Sequence, residues 1–267
     1  MTEDRSIVTL RRPQRIWAVG AIHGDAERLA TLHNLMRTRL AYGDRLVYLG
    51  NYLGVGNAVF ATIAELLRFR RMFLSIPPYM DGADCIFLRG AQEEMWQKLL
   101  QLQFSNRAED DLAWMLDRGV AATLEAYGGN SEEGFENAGK GVVALTAWTN
   151  TLRDAMRAAP GHEALMNALK RAAISRPGGV LFVNSGIDTG RSLQDQTDSF
   201  WWAGRSFTLI REAYDGFRRL VRGYDPDHGG VTETPVTLTV DAGCGFGGGL
   251  AAFCLSPEGE VLERIEA

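Results

Sequence analysis

The sequence predicts a layered α/β protein carrying a helical insertion. Three features predict it: strand and helix patterns alternate over the first third, the middle is almost wholly helical, and short strands return towards the end. Residues 16–19 form the first strand pattern, followed by Leu29, Leu32, Met36 and Leu40 at helical spacing. Residues 46–49 give the next strand, residues 59–69 a second helix and residues 85–88 a third strand. Each strand runs into a glycine, at Gly20, Gly50 and Gly90, at the edge where open α/β sheets place their ligands. Three strands are therefore expected to aim loops at one cleft. From residue 92 to about residue 176 the pattern is helical, broken by a polar, Gly-rich stretch at residues 128–141. This reads as a helical cap over residues 91–177, inserted into a chain taken as one domain over residues 1–267. Strand patterns return at residues 180–183, 236–240, 250–255 and 261–265, the last two joined by the turn residues Pro257, Glu258 and Gly259. The chain is thus expected to close as a β-meander.

Composition excludes several classes of function. At 46% hydrophobic and 23% charged over 267 residues, the chain has enough apolar material for one large core. No apolar run approaches the roughly 20 residues of a membrane span. The N-terminus, with Asp4, Arg5, Arg11 and Arg12, lacks the apolar stretch of a signal peptide, so a cytoplasmic protein without a membrane partner is expected. A net charge of −5 gives no electrostatic reason for nucleic-acid binding, and the clusters Arg68, Arg70, Arg71 and Arg218, Arg219, Arg222 read as solvated helix or strand ends. Cys85, Cys244 and Cys254 each sit in an apolar run with no CxxC spacing and read as buried thiols. Gly243, Gly245 and Gly248 fit GxGxxG, but only six residues, 250–255, separate them from a turn. That is too short for the helix that would face a pyrophosphate, and the dinucleotide reading fails on context.

Read together, the strand-end loops carry a more specific pattern. Gly20-Ala21-Ile22-His23-Gly24 resembles GDxHG; Gly50-Asn51-Tyr52-Leu53-Gly54-Val55-Gly56 resembles GDxVDRG; Leu88-Arg89-Gly90-Ala91-Gln92-Glu93 resembles LRGNHE. Phe182-Val183-Asn184-Ser185-Gly186-Ile187, continued by Leu193 and Gln196, resembles FVHAGI, and Gly223-Tyr224-Asp225-Pro226 resembles GHTP. Asp241-Ala242-Gly243 through Gly247-Gly248-Gly249-Leu250 is similar to a closing DTG…GGxL segment. In this order the blocks resemble the calcineurin-like metallophosphoesterases, in the phosphoprotein-phosphatase branch that includes diadenosine tetraphosphatases and bacterial Ser/Thr phosphatases. The resemblance implies two β-sheets packed face to face between helices.

It also implies a chemistry that these residues no longer match. Such a site holds two divalent cations roughly 3.5 Å apart, which clamp a phosphate and supply a hydroxide for in-line attack. Of the six positions that the resemblance assigns to metal, His23 alone keeps its ligand; the others are Ala21, Asn51, Ala91, Asn184 and Tyr224. Carboxylates normally offset the repulsion between two such cations, and without them the pair is not expected to assemble. The general-acid histidine of the third block is Gln92, the phosphate-gripping arginine of the second is Val55, and its neighbouring aspartate is Gly54.

The resemblance therefore implies a pseudophosphatase that binds an unnamed small molecule or protein through a neutralised cleft, with no cofactor. Asn51, Gln92 and Asn184 are the expected ligand contacts. A rival reading is a phosphoesterase rebuilt around one divalent metal (Mn, Fe, Zn or Mg) held by His23, Asp25, Asp225 and His228 near Asp227. A third is a structural subunit whose cleft is filled by its own side chains. His23 reads either as a lone ligand or as a hydrogen-bonded structural residue. Arg89 and Glu93 are expected to hold their loop by pairing. Phe200, Trp201 and Trp202 form either a stacking wall or core, and residues 130–137 an exposed loop or a solvated helix face.

Overall fold

The computed structural model describes residues 6–77 and 80–267, so Asp4 and Arg5 lie outside the described residues. In chain order the elements are β1 (Ile7–Thr9), β2 (Arg15–Val19), α1 (Ala26–Arg37), β3 (Asp44–Tyr48), α2 (Val59–Leu74), β4 (Cys85–Phe87) and α3 (Ala91–Leu99). A helical stretch follows with α4 (Ala108–Met115), a π-turn over Leu116–Val120, α5 (Ala121–Ala126), α6 (Ser131–Gly139), α7 (Val142–Ala158) and α8 (His162–Ala168). The chain then forms β5 (Ala172–Ile174), β6 (Val180–Val183), α9 (Ser199–Trp202), β7 (Arg219–Arg222), β8 (Thr232–Glu233), β9 (Thr237–Thr239), β10 (Ala251–Leu255) and β11 (Val261–Glu266).

These strands make two sheets, ordered β1-β5-β6-β7-β9-β8 and β11-β10-β2-β3-β4. The period-two alternation of strand side chains assembles three layers of core. Ile16, Ala18, Val47, Val180, Phe182, Val221, Ala251 and Phe253 face one another between the sheets. Their neighbours Trp17, Val19, Leu46 and Tyr48 point outward onto Leu29, Leu32 and Met36 of α1 and Ile63, Leu66 and Phe69 of α2. On the far side Leu181, Val183 and Leu220 meet Phe200, Trp201 and Phe207. Strands β2, β3 and β4 run parallel, as do β6, β7 and β9, so six carboxyl ends deliver their loops to one edge of the sandwich.

Several sequence expectations change at this level. The helical middle ends at Ala168, and β5 occupies residues inside the expected cap because Ala172–Ile174 pairs with both β1 and β6. The closing meander is only the β10–β11 hairpin, since β9 belongs to the other sheet. Arg219 and Arg222 are not solvated ends: they lie within β7 and are 8% and 0% exposed. Arg222 Nε donates to Thr239 Oγ1 at 2.9 Å, and its Nη1 donates to the Gly204 carbonyl at 2.7 Å, so β7 can bury a charge in its core. The Gly243–Gly248 loop leads into strand β10, as the context argument required. All three cysteines are buried thiols, and residues 131–139 form a helix with a largely exposed surface. Among the described residues no helix is long and apolar enough to cross a membrane.

Candidate functional site

The loops at the sandwich edge are tied to one another through their backbones. Ile22 and His23 N–H groups donate to the Asn51 carbonyl, Gly24 N–H to Tyr52, Ala21 N–H to Gly223, and Gly223 and Tyr224 N–H groups to Asn184. Glu93 clamps the second loop. Its Oε2 accepts from Asn51 and Gly90 N–H at 2.9 and 2.8 Å, and its Oε1 from Tyr52 and Leu53 N–H at 2.7 and 3.1 Å. Burial pushes the Glu93 pKa up, while those four donors pull it down. Arg89 is not its partner; it pairs with Glu94 at 3.1 Å, because the Glu93 carboxylate is turned inward to the loop.

The positions that the resemblance assigns to metal converge in space, but they do not fit the metals. Ala21 and Ala91 are buried and offer no donor atom. Asn51 is fully buried at φ 57°, and its Oδ1 accepts from Gln92 N–H at 3.1 Å. Asn184 is equally buried; its Oδ1 accepts from Ala91 N–H at 3.1 Å and its Nδ2 donates to the Leu49 carbonyl at 2.8 Å. Both amides are thus engaged with backbone. Gln92 Nε2 donates to the Arg118 carbonyl at 2.7 Å in the π-turn, and its Oε1 lies over Gly54, where an added Cβ would meet it at 2.0 Å. The small residue at 54 and the long amide at 92 therefore depend on each other. Gly90 is required for closeness of another kind, since a Cβ there would fall 2.2 Å from both Asn51 N and Asn51 Oδ1.

His23 is 1% exposed and its ring packs edge-on against Tyr224 and Phe246, with centroids at 5.4 and 5.1 Å. Its Nε2 makes only a long 3.5 Å contact to Asn51 Nδ2. Burial, and secondarily the His228 charge, lowers its pKa to about 3, so the ring is neutral. The other candidates for a rebuilt site have separate structural duties. Asp25 caps α1 by accepting Arg28 N–H at 3.0 Å and pairs with the Arg28 side chain at 2.6 Å. Asp225 lies 3.0 Å from buried Arg222 and accepts from Asp227 and Gly229 N–H, while His228 stacks at 3.9 Å on Phe246. Among the described residues no three His, Cys, Asp or Glu side chains gather as a metal centre would require.

Above this floor lies an open cleft of about 830 Å³. Sequence reasoning named parts of its wall, Val55, Gln92 and Tyr224, and missed Arg118, Arg205 and Phe246. Only the three-dimensional return of the π-turn, of the 3-10 turn over Gly204–Leu209 and of the 243–248 loop brings these to the site. The aromatic run divides: Phe200 and Trp201 are buried, Trp202 is 38% exposed, and the two tryptophans line the cleft. The Trp201 indole N–H also donates to the Arg89 carbonyl. Tyr224 carries a hydroxyl whose pKa burial pushes up to about 12, so it remains a donor.

No family model matches the sequence, and no curated protein matches it. Solved structures do. A protein assigned provisionally as a diadenosine tetraphosphatase is similar with a TM-score of 0.58 at 18% identity, over 98% of each chain. A serine/threonine phosphatase from Saccharomyces cerevisiae gives 0.52 at 14% identity over 98% of this chain and 82% of that one. A cold-active protein-tyrosine phosphatase from a psychrophilic Shewanella gives 0.53 at 13% identity over 97% and 82%. With the two facing sheets and the order of their loops, these likenesses establish that the chain has the metallophosphoesterase fold.

Proposed function

We propose that this chain is a pseudophosphatase: a phosphoesterase fold that binds a ligand or partner in the cytoplasm without hydrolysing phosphoesters. One observation carries the reading. At the positions where the fold would bind metal no carboxylate remains, and the amide oxygens of Asn51 and Asn184 each accept a hydrogen bond from the protein's own backbone. Each of these oxygens already has one of its two lone pairs committed to a backbone N–H, and neutral amides would not offset the repulsion of two cations. Gln92 supplies no proton near neutral pH and is itself bound to the Arg118 carbonyl, which removes the general acid as well. The open cleft above favours binding over a purely structural role.

The test is turnover of p-nitrophenyl phosphate and of a dinucleoside tetraphosphate with added manganese. The expected rate is below about a thousandth of that of a metal-holding phosphoesterase, because loss of metal and acid together removes several kcal/mol of transition-state stabilisation. A manganese-dependent rate that His23→Ala abolishes would overturn the proposal.

A further inference from the structure

The groups still free in the cleft select a ligand class. With the floor amides of Asn51 and Asn184 engaged, the cleft's remaining polar groups are the donors of Arg118, Arg205, Tyr224 and His228, with the Asp117 carboxylate beside Arg118. The Tyr224 hydroxyl and the His228 ring make no hydrogen bond among the described residues. The ion pairs of Arg118 and Arg205 are exposed, at 3.4 Å to Asp117 and 3.8 Å to Asp227, and a ligand anion can displace them at little cost, while Arg118 is also held by the Trp114 carbonyl at 3.2 Å and over the Trp114 ring. The walls around them are aromatic: Trp201, Trp202, Tyr224 and Phe246. Donors set among ring faces suit a flat molecule with acceptor oxygens at one end.

We infer that the cleft binds a planar aromatic monocarboxylate, its ring against Trp202, Tyr224 and Phe246 and its carboxylate on Arg118 and Arg205. The inference rests on the binding reading above. A guanidinium fork matches a carboxylate in plane and in spacing. A phosphate dianion fits less well, because desolvation scales with the square of charge and costs about four times as much as for a monoanion. Asp117 and Asp227 at the rim add repulsion that grows with ligand charge.

The experiment titrates three probes that share one ring system, 2-naphthoate, 2-naphthamide and 2-naphthyl phosphate, by ligand-observed NMR in chelator. 2-Naphthoate should bind with a Kd of about 1 mM or tighter, at least about fivefold tighter than the amide or the phosphate. Arg118→Gln and Arg205→Gln, both at exposed side chains, should each weaken 2-naphthoate about threefold to tenfold and leave the amide unchanged. Trp202→Leu should weaken all three probes. The inference is overturned if the amide or the phosphate binds as tightly as the carboxylate, if 2-naphthoate does not bind, or if neither arginine variant changes its affinity. Release of naphthol from the phosphate probe when manganese replaces chelator would instead overturn the non-catalytic reading, and would leave the comparison of affinities intact.

Discussion

Glu93 is the residue of the third block whose role its hydrogen bonds make plain. A carboxylate there accepts four backbone N–H groups from Gly90, Asn51, Tyr52 and Leu53, which an amide cannot do, because its NH₂ would face two donors. Glu93→Gln should therefore lose about 3 kcal/mol in urea denaturation, well beyond the loss of one neutral hydrogen bond. His23 provides a second residue-scale test. Its folded pKa of about 3 lies below the ordinary value of 6.5. Between those values the unfolded chain takes up a proton that the folded chain refuses, so the group's contribution is present above pH 6.5 and is lost as pH falls. Between pH 7 and pH 4.5, His23→Asn should lose about 2 kcal/mol less stability than the parent chain. The sequence displayed where the blocks depart from the pattern they resemble, but not where the amides of Asn51, Gln92 and Asn184 direct their hydrogen bonds. The engagement of Asn184 with Leu49 and Ala91 depends on the ends of β6, β3 and β4 meeting at one edge, and the burial of Arg222 depends on its contacts with Thr239 of β9 and with Gly204.

At the scale of an element, the loop over residues 50–56 holds several residues in the left-handed region. Asn51, Gly54 and Val55 have φ of 57°, 76° and 59°. A β-branched residue is poorly suited to that region, so Val55→Asn should raise stability by about 1 kcal/mol in the same denaturation assay. Gly54→Ala should cost about 2 kcal/mol, and a double-mutant cycle with Gln92→Ala should return about half of that by removing the overlap with Gln92 Oε1. The long elements were legible because their periodicity is sustained, as in α1, α2 and β10. The missed strands lacked that signal. β1 and β5 are three residues each and are defined by pairing across more than half the chain, while β7 begins and ends in arginine and so reads as a charged cluster.

Across the whole molecule, the two sheets bring the recognisable blocks to one edge, so the fold and the convergence of these loops followed from the order of the blocks. The chemistry of the cleft mouth did not, because Arg118 and Arg205 reach it from segments that carry no recognisable block, and Phe246 sits in the unmatched middle of the closing one. Residues that act as a unit are strongly non-additive, and Asn51→Asp alone, facing Ala21, Ala91, Asn184 and Tyr224, should not recreate a two-metal centre. Metal stoichiometry by inductively coupled plasma mass spectrometry, on the parent chain and on Asn51→Asp purified without chelator and incubated with manganese and zinc, tests the central claim most directly. Far less than one tightly held metal per chain is predicted for both proteins. Two metals per chain, lost on His23→Ala, would contradict the account.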